Sequence, residues 1–423
     1  MQLYNSLTRN LDNFQTSGEP VSLYVCGITP YDTTHLGHAF TYTSVDILVR
    51  YLESKNNEVV YVQNVTDIDD DILRKATESG EDWRSLGNRW TAHFIQDMID
   101  MNVRPPDFYP RATDVISEII SMVEKLLAVG VAYQKAGNVY FAVDSWPDFG
   151  KLSALERGAM LPIANERGNR PDDPYKRDPL DFVLWQSQAN GEPAWDSPWG
   201  PGRPGWHIEC STMSTKYLGS PIDIHSGGAD LSFPHHECEI AQIEPINGNR
   251  PFVKYWFHVA MVYHEGAKMS KSLGNLVMVR DLLRLHSTDA LRLYLGSHHH
   301  RESWSHSEAE LSRAQDRADL IYASSIVNGG DGPALDSEGF GQQFDQAMDD
   351  DLNTPVGVEI MIKLAEDVQT AARENKSIES ARQRLNRMGR VFGLQLGTGT
   401  DARVLDGWNK HLQRFPLGLT QTD

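Results

Sequence analysis

Between Val21 and Val65 the sequence runs through an apolar stretch, a turn, a helical pattern and a second apolar stretch, and this order restricts the fold more than any other feature. Residues 21–25 read as a strand that Gly27 and Pro30 interrupt. Residues 43–52 place Val45, Leu48, Val49 and Leu52 on one helical face, and residues 59–65 are rich in β-branched and aromatic side chains; the first spacing predicts a helix and the second a strand. Strand, helix and strand within about 45 residues predict a parallel crossover and hence an α/β doubly wound domain. The helical pattern begins at about Ala39, so Cys26, Gly27, His35, Gly37 and His38 fall where a strand hands over to a helix start. That geometry suits a phosphate-bearing nucleotide.

Further along, residues 83–102 and 113–129 predict helices, and residues 138–143 a short strand. Residues 144–199 are rich in Pro, Trp and Asp with weak periodicity and read as an insertion. The α/β pattern resumes at residues 206–218, 222–224, 233–247 and 253–262, and a glycine-bearing loop follows at 265–275. Beyond residue 289 every element is predicted helical, with a flexible connection at 329–341 and, from 397, a tail with one further helical hint that is expected to fray.

Composition excludes some classes. A formal charge of −19 disfavours a general polyanion binder, though a local basic patch is compatible with it. Three widely separated cysteines cannot form a disulfide framework. No apolar run is long enough to span a membrane, and the first ten residues lack a signal-peptide pattern, so a cytoplasmic enzyme with no membrane partner is expected.

Two motifs carry chemistry. In His35-Leu36-Gly37-His38, Gly37 leaves room for a flat ring, and two imidazoles at a helix start suit phosphate oxygens. Alone, the motif more often describes two surface histidines. In Lys268-Met269-Ser270-Lys271-Ser272, two lysines lie between Gly266 and Gly274 on a loop that could close on a polyphosphate and follow charge onto departing pyrophosphate.

With both present, the chain resembles the class I aminoacyl-tRNA synthetases, whose signatures are His-Ile-Gly-His and Lys-Met-Ser-Lys-Ser; Leu36 stands where Ile is usual. Cys26-Gly27, Thr66-Asp67-Ile68-Asp69-Asp70, Gly205-Trp206-His207-Ile208-Glu209-Cys210 and Phe233-Pro234-His235-His236-Glu237-Cys238-Glu239 are similar to the cysteinyl branch. That branch includes cysteinyl-tRNA synthetases and the cysteine ligases of mycothiol biosynthesis. The resemblance implies a Rossmann-like catalytic domain at 1–288 with an insertion at about 110–200, an all-α helical bundle at 289–396, and a tail at 397–423 without a full anticodon-binding module. It also implies ATP and L-cysteine as substrates, with Mg²⁺ accompanying ATP. His35, His38, Lys268 and Lys271 would be catalytic; Gly27, Thr29, Gly37, Asp230 and Ser270 would join them in binding ATP; Cys26, Thr29, Thr66 and Trp206 would face the cysteine.

Cys26, Cys210, His235 and Glu239 offer two sulfurs, a nitrogen and an oxygen, a set that zinc accepts at four coordination. Their spacing is too long for a zinc finger, and the resemblance is what implies one substrate-binding Zn²⁺ per chain. His236 and Cys238 are neighbouring alternatives; His235 ranks above His236 because it lies four residues before Glu239 on a predicted helix. Zinc that prefers a thiolate would reject serine without editing.

The acceptor divides the branch. Residues 28–32, 40–42, 82–84, 105–107, 166–168, 176–181, 275–277 and 298–304 look more like the mycothiol-type ligase, and so does the ending. Glu239 and Ile224-His225 look like the tRNA ligases. The first expectation is therefore transfer of cysteine to the amine of a glucosaminyl-inositol, with charging of tRNA(Cys) as the alternative and a non-catalytic cysteine or ATP sensor as the third. A monomer is expected.

Overall fold

The computed structural model describes residues 1–31, 34–248, 250–269 and 274–415. A small antiparallel pair, β1 (Gln2–Asn5) and β2 (Asn10–Asn13), precedes the central sheet. Then β3 (Val21–Ile28) feeds α1 (Leu36–Ser54), which returns to β4 (Val59–Val65), the predicted crossover. The helix begins at Leu36 rather than near Ala39 because the His35 side chain caps it, accepting from the Gly37 amide at 3.1 Å. α2 (Asp70–Ser79) and α3 (Trp83–Asp100) follow, then α4 (Ile116–Ala128).

Residues 144–199 are more ordered than their weak periodicity predicts. β5 (Ala132–Lys135), β6 (Asn138–Phe141), β7 (Phe182–Ser187) and β8 (Gly202–Pro204) form an antiparallel sheet, and α5 (Arg157–Glu166) lies inside the stretch. Gly158 and Pro162 interrupt the helical pattern of α5, which is why propensity alone misses it. The central sheet resumes with α6 (Trp206–Leu218), β9 (Ile222–Gly228), α7 (Glu237–Asn247) and β10 (Val253–Val259). Its order is β10-β9-β3-β4, all parallel. Chain order reverses at β3, which pairs with β4 on one side and β9 on the other. Doubly wound sheets open a crevice at such a point, beyond the strands' carboxyl ends.

Both faces of the sheet are buried, as parallel sheets require. Leu23 and Val25 of β3 pack into the layer with α1, while Tyr24 and Cys26 face Ile208, Cys210 and Met213 of α6.

After the hairpin of β11 (Val262–His264) and β12 (Ala267–Lys268) come α8 (Val279–Leu283), α9 (Thr288–Gly296) and the two-residue β13 (Trp304–Ser305). α10 (Glu308–Ile326) follows. The stretch expected to be a flexible connection instead contains β14 (Gly332–Ala334) and the start of α11 (Glu338–Asp349). Beyond α12 (Thr354–Arg373), β15 (Lys376–Ser377) pairs with β14, and α13 (Glu379–Val391) closes the bundle, so the region after residue 289 is not wholly helical. Asp46 of α1 meets Arg292 of α9 in a fully buried ion pair, and Arg292 also donates to the Met101 carbonyl at 2.9 Å.

The tail does not fray where it is described. α14 (Ala402–Leu412) packs against α3, with Trp408 fully buried and donating through Nε1 to the Val103 carbonyl at 2.8 Å. The tail's one helical hint is this helix, whose buried residues are Val404, Trp408 and His411.

Candidate functional site

The crevice at the β3/β9 switch point opens into a cavity of about 1470 Å³. Cys26, Gly27, Thr29, His35, Gly37, His38, Thr66, Trp206, Cys210, Asp230, His235 and Lys268 all line it. Glu239 lies behind the lining, fully buried. Lys271 and Ser270 lie outside the described residues.

Local backbone explains why β3 can present Cys26. The β3–β4 register slips between Val25 and Ile28, a bulge that re-aims the side chains around it. Gly27 sits there so close to β4 that a Cβ would stand 1.6 Å from the Asn64 carbonyl oxygen. Its amide donates to Asn64 Oδ1 at 2.8 Å, and the Asn64 amide donates to Thr66 Oγ1 at 3.2 Å. Past the turn, the rings of His35 and His38 stack at 3.9 Å. A Cβ on Gly37 would lie 2.9 Å from the His35 ring, so glycine permits the capped conformation. The first turn of α1 holds no acidic residue, leaving its positive end uncompensated toward the cavity.

Four buried donors converge from three elements and a turn. Cys26 Sγ lies 3.9 Å from Cys210 Sγ and 3.8 Å from Glu239 Oε1, and His235 Nε2 lies 3.2 Å from the same oxygen. Zinc–ligand bonds of about 2.0–2.3 Å imply donor separations of roughly 3.3–3.8 Å in a tetrahedron, so the residues fit such an ion. Their protonation points the same way. Burial pushes the Cys26 thiol and the Glu239 carboxyl well up and the His235 imidazole well down, so without a cation each group favours its neutral form. A bound cation reverses that preference for thiols and carboxylates.

A second cluster of Cys26, His225, His236 and Glu239 is equally compact, with His236 Nε2 3.3 Å from Cys26 Sγ. The cavity separates the two. Cys210 and His235 line it, whereas His225 and His236 do not. The first set would present three cavity-lining ligands to an ion, Cys26, Cys210 and His235, and the second only Cys26. The open arrangement is the one a substrate-binding metal needs, which supports His235 over His236. Cys238 is buried near Lys176 and the Glu237 and Glu239 carboxylates and belongs to neither cluster.

Several partners escaped sequence reasoning. His207 Nδ1 shares a hydrogen bond of 2.9 Å with His235 Nδ1, His225 Nε2 contacts Glu239 Oε2 at 3.1 Å, and His236 Nδ1 meets His258 Nε2 at 2.8 Å. Such outer contacts orient ligands. His207 stood inside a quoted motif without a role and His225 served only to mark the branch; the density of histidines in the sequence was the available signal. Trp206 stacks on the His235 ring at 4.5 Å, forming a wall beside the donors.

Asp230, in the turn after β9, is bound by Arg167 Nη2 at 2.8 Å and Lys268 Nζ at 3.2 Å. Burial raises its pKa, but the two cations outweigh burial and hold it below the ordinary carboxylate value. Arg167 belongs to the stretch 166–176, every residue of which lines the cavity.

Residues 13–316 match the family described as tRNA synthetases class I (C) catalytic domain, and residues 343–397 match the DALR domain. The chain is 41% identical over 404 residues to the cysteine–tRNA ligase of Histophilus somni strain 2336, covering 93% of this chain and 85% of that protein. It is 43% identical over 401 residues to the cysteine–tRNA ligase of Thioalkalivibrio sulfidiphilus, covering 94% and 86%. Among solved structures it is similar to Mycobacterium tuberculosis methionyl-tRNA synthetase in complex with methionyl-adenylate, with a TM-score of 0.64 over 94% of this chain and 93% of that one. At 14% identity that likeness concerns the fold. No helix among the described residues is long and apolar enough to cross a membrane.

Proposed function

The chain belongs to the class I tRNA synthetase (C) family and is a ligase, and from that premise we propose that it activates L-cysteine with ATP and charges tRNA(Cys). The observation that carries the cysteine reading is that Cys26, Cys210 and His235 of the four-donor cluster line the cavity that the two signature motifs border, with Trp206 stacked beside them. The acceptor rests on the relatives, which are named cysteine–tRNA ligases over more than nine-tenths of this chain. The amino-sugar acceptor expected first from the sequence therefore becomes the second reading. What favours it is the 166–176 stretch, part of which reads differently from tRNA ligases and all of which lines the cavity.

In the proposed reaction the cysteine carboxylate attacks the α-phosphorus of ATP, giving cysteinyl-adenylate and pyrophosphate. The protein's contribution is positioning and charge stabilisation. His35 and His38 hold phosphate oxygens at the positive end of α1, assisted by the close approach that Gly37 and Gly27 permit. Lys268, with Lys271, neutralises the departing pyrophosphate, and Ser270 joins the phosphate contacts. Asp230 accepts the ribose hydroxyls, which requires Arg167 and Lys268 to release it. Thr29 and Thr66 line the amino-acid end, and Trp206 walls it. Cys26, Cys210, His235 and Glu239 would hold zinc, which supplies a soft positive site favouring a thiolate over a hydroxyl. Mg²⁺ accompanies ATP.

On the same reading, residues 1–288 form the catalytic unit with its insertion at about 110–200, residues 289–396 form the helical unit, and the chain acts as a cytoplasmic monomer.

Cysteine-dependent ATP–pyrophosphate exchange by zinc-loaded protein tests activation, and its absence overturns the enzyme reading. Labelled cysteine offered with tRNA or with glucosaminyl-inositol separates the acceptors. Label on tRNA is expected; label on the amino sugar alone overturns the first acceptor in favour of the second.

A further inference from the structure

Arg167 stands at the C-terminal end of α5, the helix inside the insertion. Met160 and Ala164 of that helix are buried in the same apolar cluster as Phe233, and α5 packs on the turn at Ser232–His236. That docking brings the Arg167 side chain from the insertion to the turn that carries Asp230. Among the described residues, Asp230 is the one side chain that binds its guanidinium, with Nη2 donating to Oδ2 at 2.8 Å. Lys268 Nζ donates to the same oxygen at 3.2 Å, so the two cationic heads are neighbours. The other arginines that line the cavity, Arg170 and Arg203, both reach Asp70, which the proposed reaction leaves alone. Arg167 differs from them, because its partner is the carboxylate that a ribose would take. A guanidinium stays charged at neutral pH, and one that loses its partner in a partly buried site keeps the cost of leaving water. The molecule that takes the carboxylate brings a replacement. In a nucleoside triphosphate the phosphate chain starts from the same sugar, and it carries more negative charge than Lys268 alone offsets.

On the reading that gives Asp230 the ribose hydroxyls, we propose that Arg167 is a further ATP-binding residue, which rests on Asp230 in the empty site and passes to the phosphate chain when the ribose takes its place. Its planar fork suits two phosphate oxygens at once, a geometry that a lysine does not offer. The ribose releases Lys268 from the same oxygen, so one displacement frees two neighbouring cations for one polyanion. While the site is empty, the Arg167 bond lowers the apparent affinity of any ligand that needs Asp230, because only the released fraction binds. A ligand with ribose and no phosphate meets that competition and gains nothing in return. ATP meets it and recovers the guanidinium as a contact.

The test is Arg167→Gln, which removes the charge and leaves a polar side chain. Adenosine and ATP binding to the full chain are measured by calorimetry, with cysteine-dependent pyrophosphate exchange alongside. Adenosine is expected to bind about 2–5-fold more tightly, the worth of one partly exposed ion pair that no longer competes. ATP is expected to bind more weakly, and kcat/KM for ATP in exchange to fall about 10–100-fold, the worth of a hydrogen bond to a charged group. Shifts in opposite directions separate this role from a structural one, since a damaged site weakens both ligands. Arg167→Lys, which keeps the charge, is expected to recover part of the exchange. Arg167→Met serves if Arg167→Gln does not fold. Adenosine bound no more tightly by the variant, or ATP binding and exchange left unimpaired, overturns the inference alone. Asp230→Asn tests the premise: adenosine binding that this change leaves intact overturns the ribose reading and the inference with it. A wild-type chain that binds neither adenosine nor ATP overturns the nucleotide reading as a whole.

Discussion

Replacing Gly27 by alanine should damage the site through the backbone, with the four buried donor residues and the signature residues all present. The new Cβ would stand 1.6 Å from the Asn64 carbonyl oxygen and 2.6 Å from its carbon. An ordinary carbon–oxygen contact is about 3.3 Å, so β3 and β4 must part by about 1.7 Å at the bulge. The obstacle is main chain, which cannot swing aside as a side-chain end could. Parting the strands also breaks the 2.8 Å bond from the Gly27 amide to Asn64 Oδ1. Overpacking and one lost hydrogen bond together cost ~2–4 kcal/mol. Cys26 is the adjacent residue, and metal ligands tolerate displacements of only ~0.2 Å. Misplacement on the 1 Å scale costs ~10²-fold in rate. G27A is therefore expected to lower the urea midpoint and to lose about two orders of magnitude in kcat/KM for cysteine-dependent pyrophosphate exchange. A G27A protein with wild-type midpoint and wild-type exchange would refute the close-approach argument.

Arg292→Met should destabilise by ~3–5 kcal/mol in thermal unfolding, because it strips the buried Asp46 of one of its two cations; adding Asp46→Leu should restore part of the loss. Asp67 and Asp69 are both raised from 3.8 to about 6, chiefly by burial. The folded chain therefore binds more protons than the unfolded chain between those values, and stability should fall as pH rises from about 4 to about 6, by ~1–2 kcal/mol per group. Denaturation midpoints across that window should show the fall, and Asp67→Asn should flatten it. Trp408→Ala should undock α14 at a cost of ~3–5 kcal/mol, read as protease cleavage near residues 397–401 that the parent chain resists.

What was legible beforehand was local in the chain. The turn between β3 and α1 announces itself because glycine, capping histidine and apolar periodicity act over a few residues. The same holds for the helices at 83–100, 116–128 and 354–373, whose patterns need no distant partner. Cys26, Cys210, His235 and Glu239 could be named from motif resemblance, but nothing in their spacing says they meet. Elements whose stability comes from elsewhere were misread. α14 depends on one tryptophan reaching the Val103 carbonyl, and β14 exists because β15 pairs with it across forty-odd residues.

The sequence by itself determined the α/β class and the strand-to-helix turn and supplied the candidate donor atoms, because backbone propensity and side-chain chemistry are properties of short segments. Only the tertiary structure decided that Cys26 and Cys210 lie 3.9 Å apart, that the cavity opens on His235 and not on His236, and that Arg167 reaches Asp230. Those facts depend on strand order, on a bulge at Gly27 and on burial shared among distant segments, none of which a local pattern encodes.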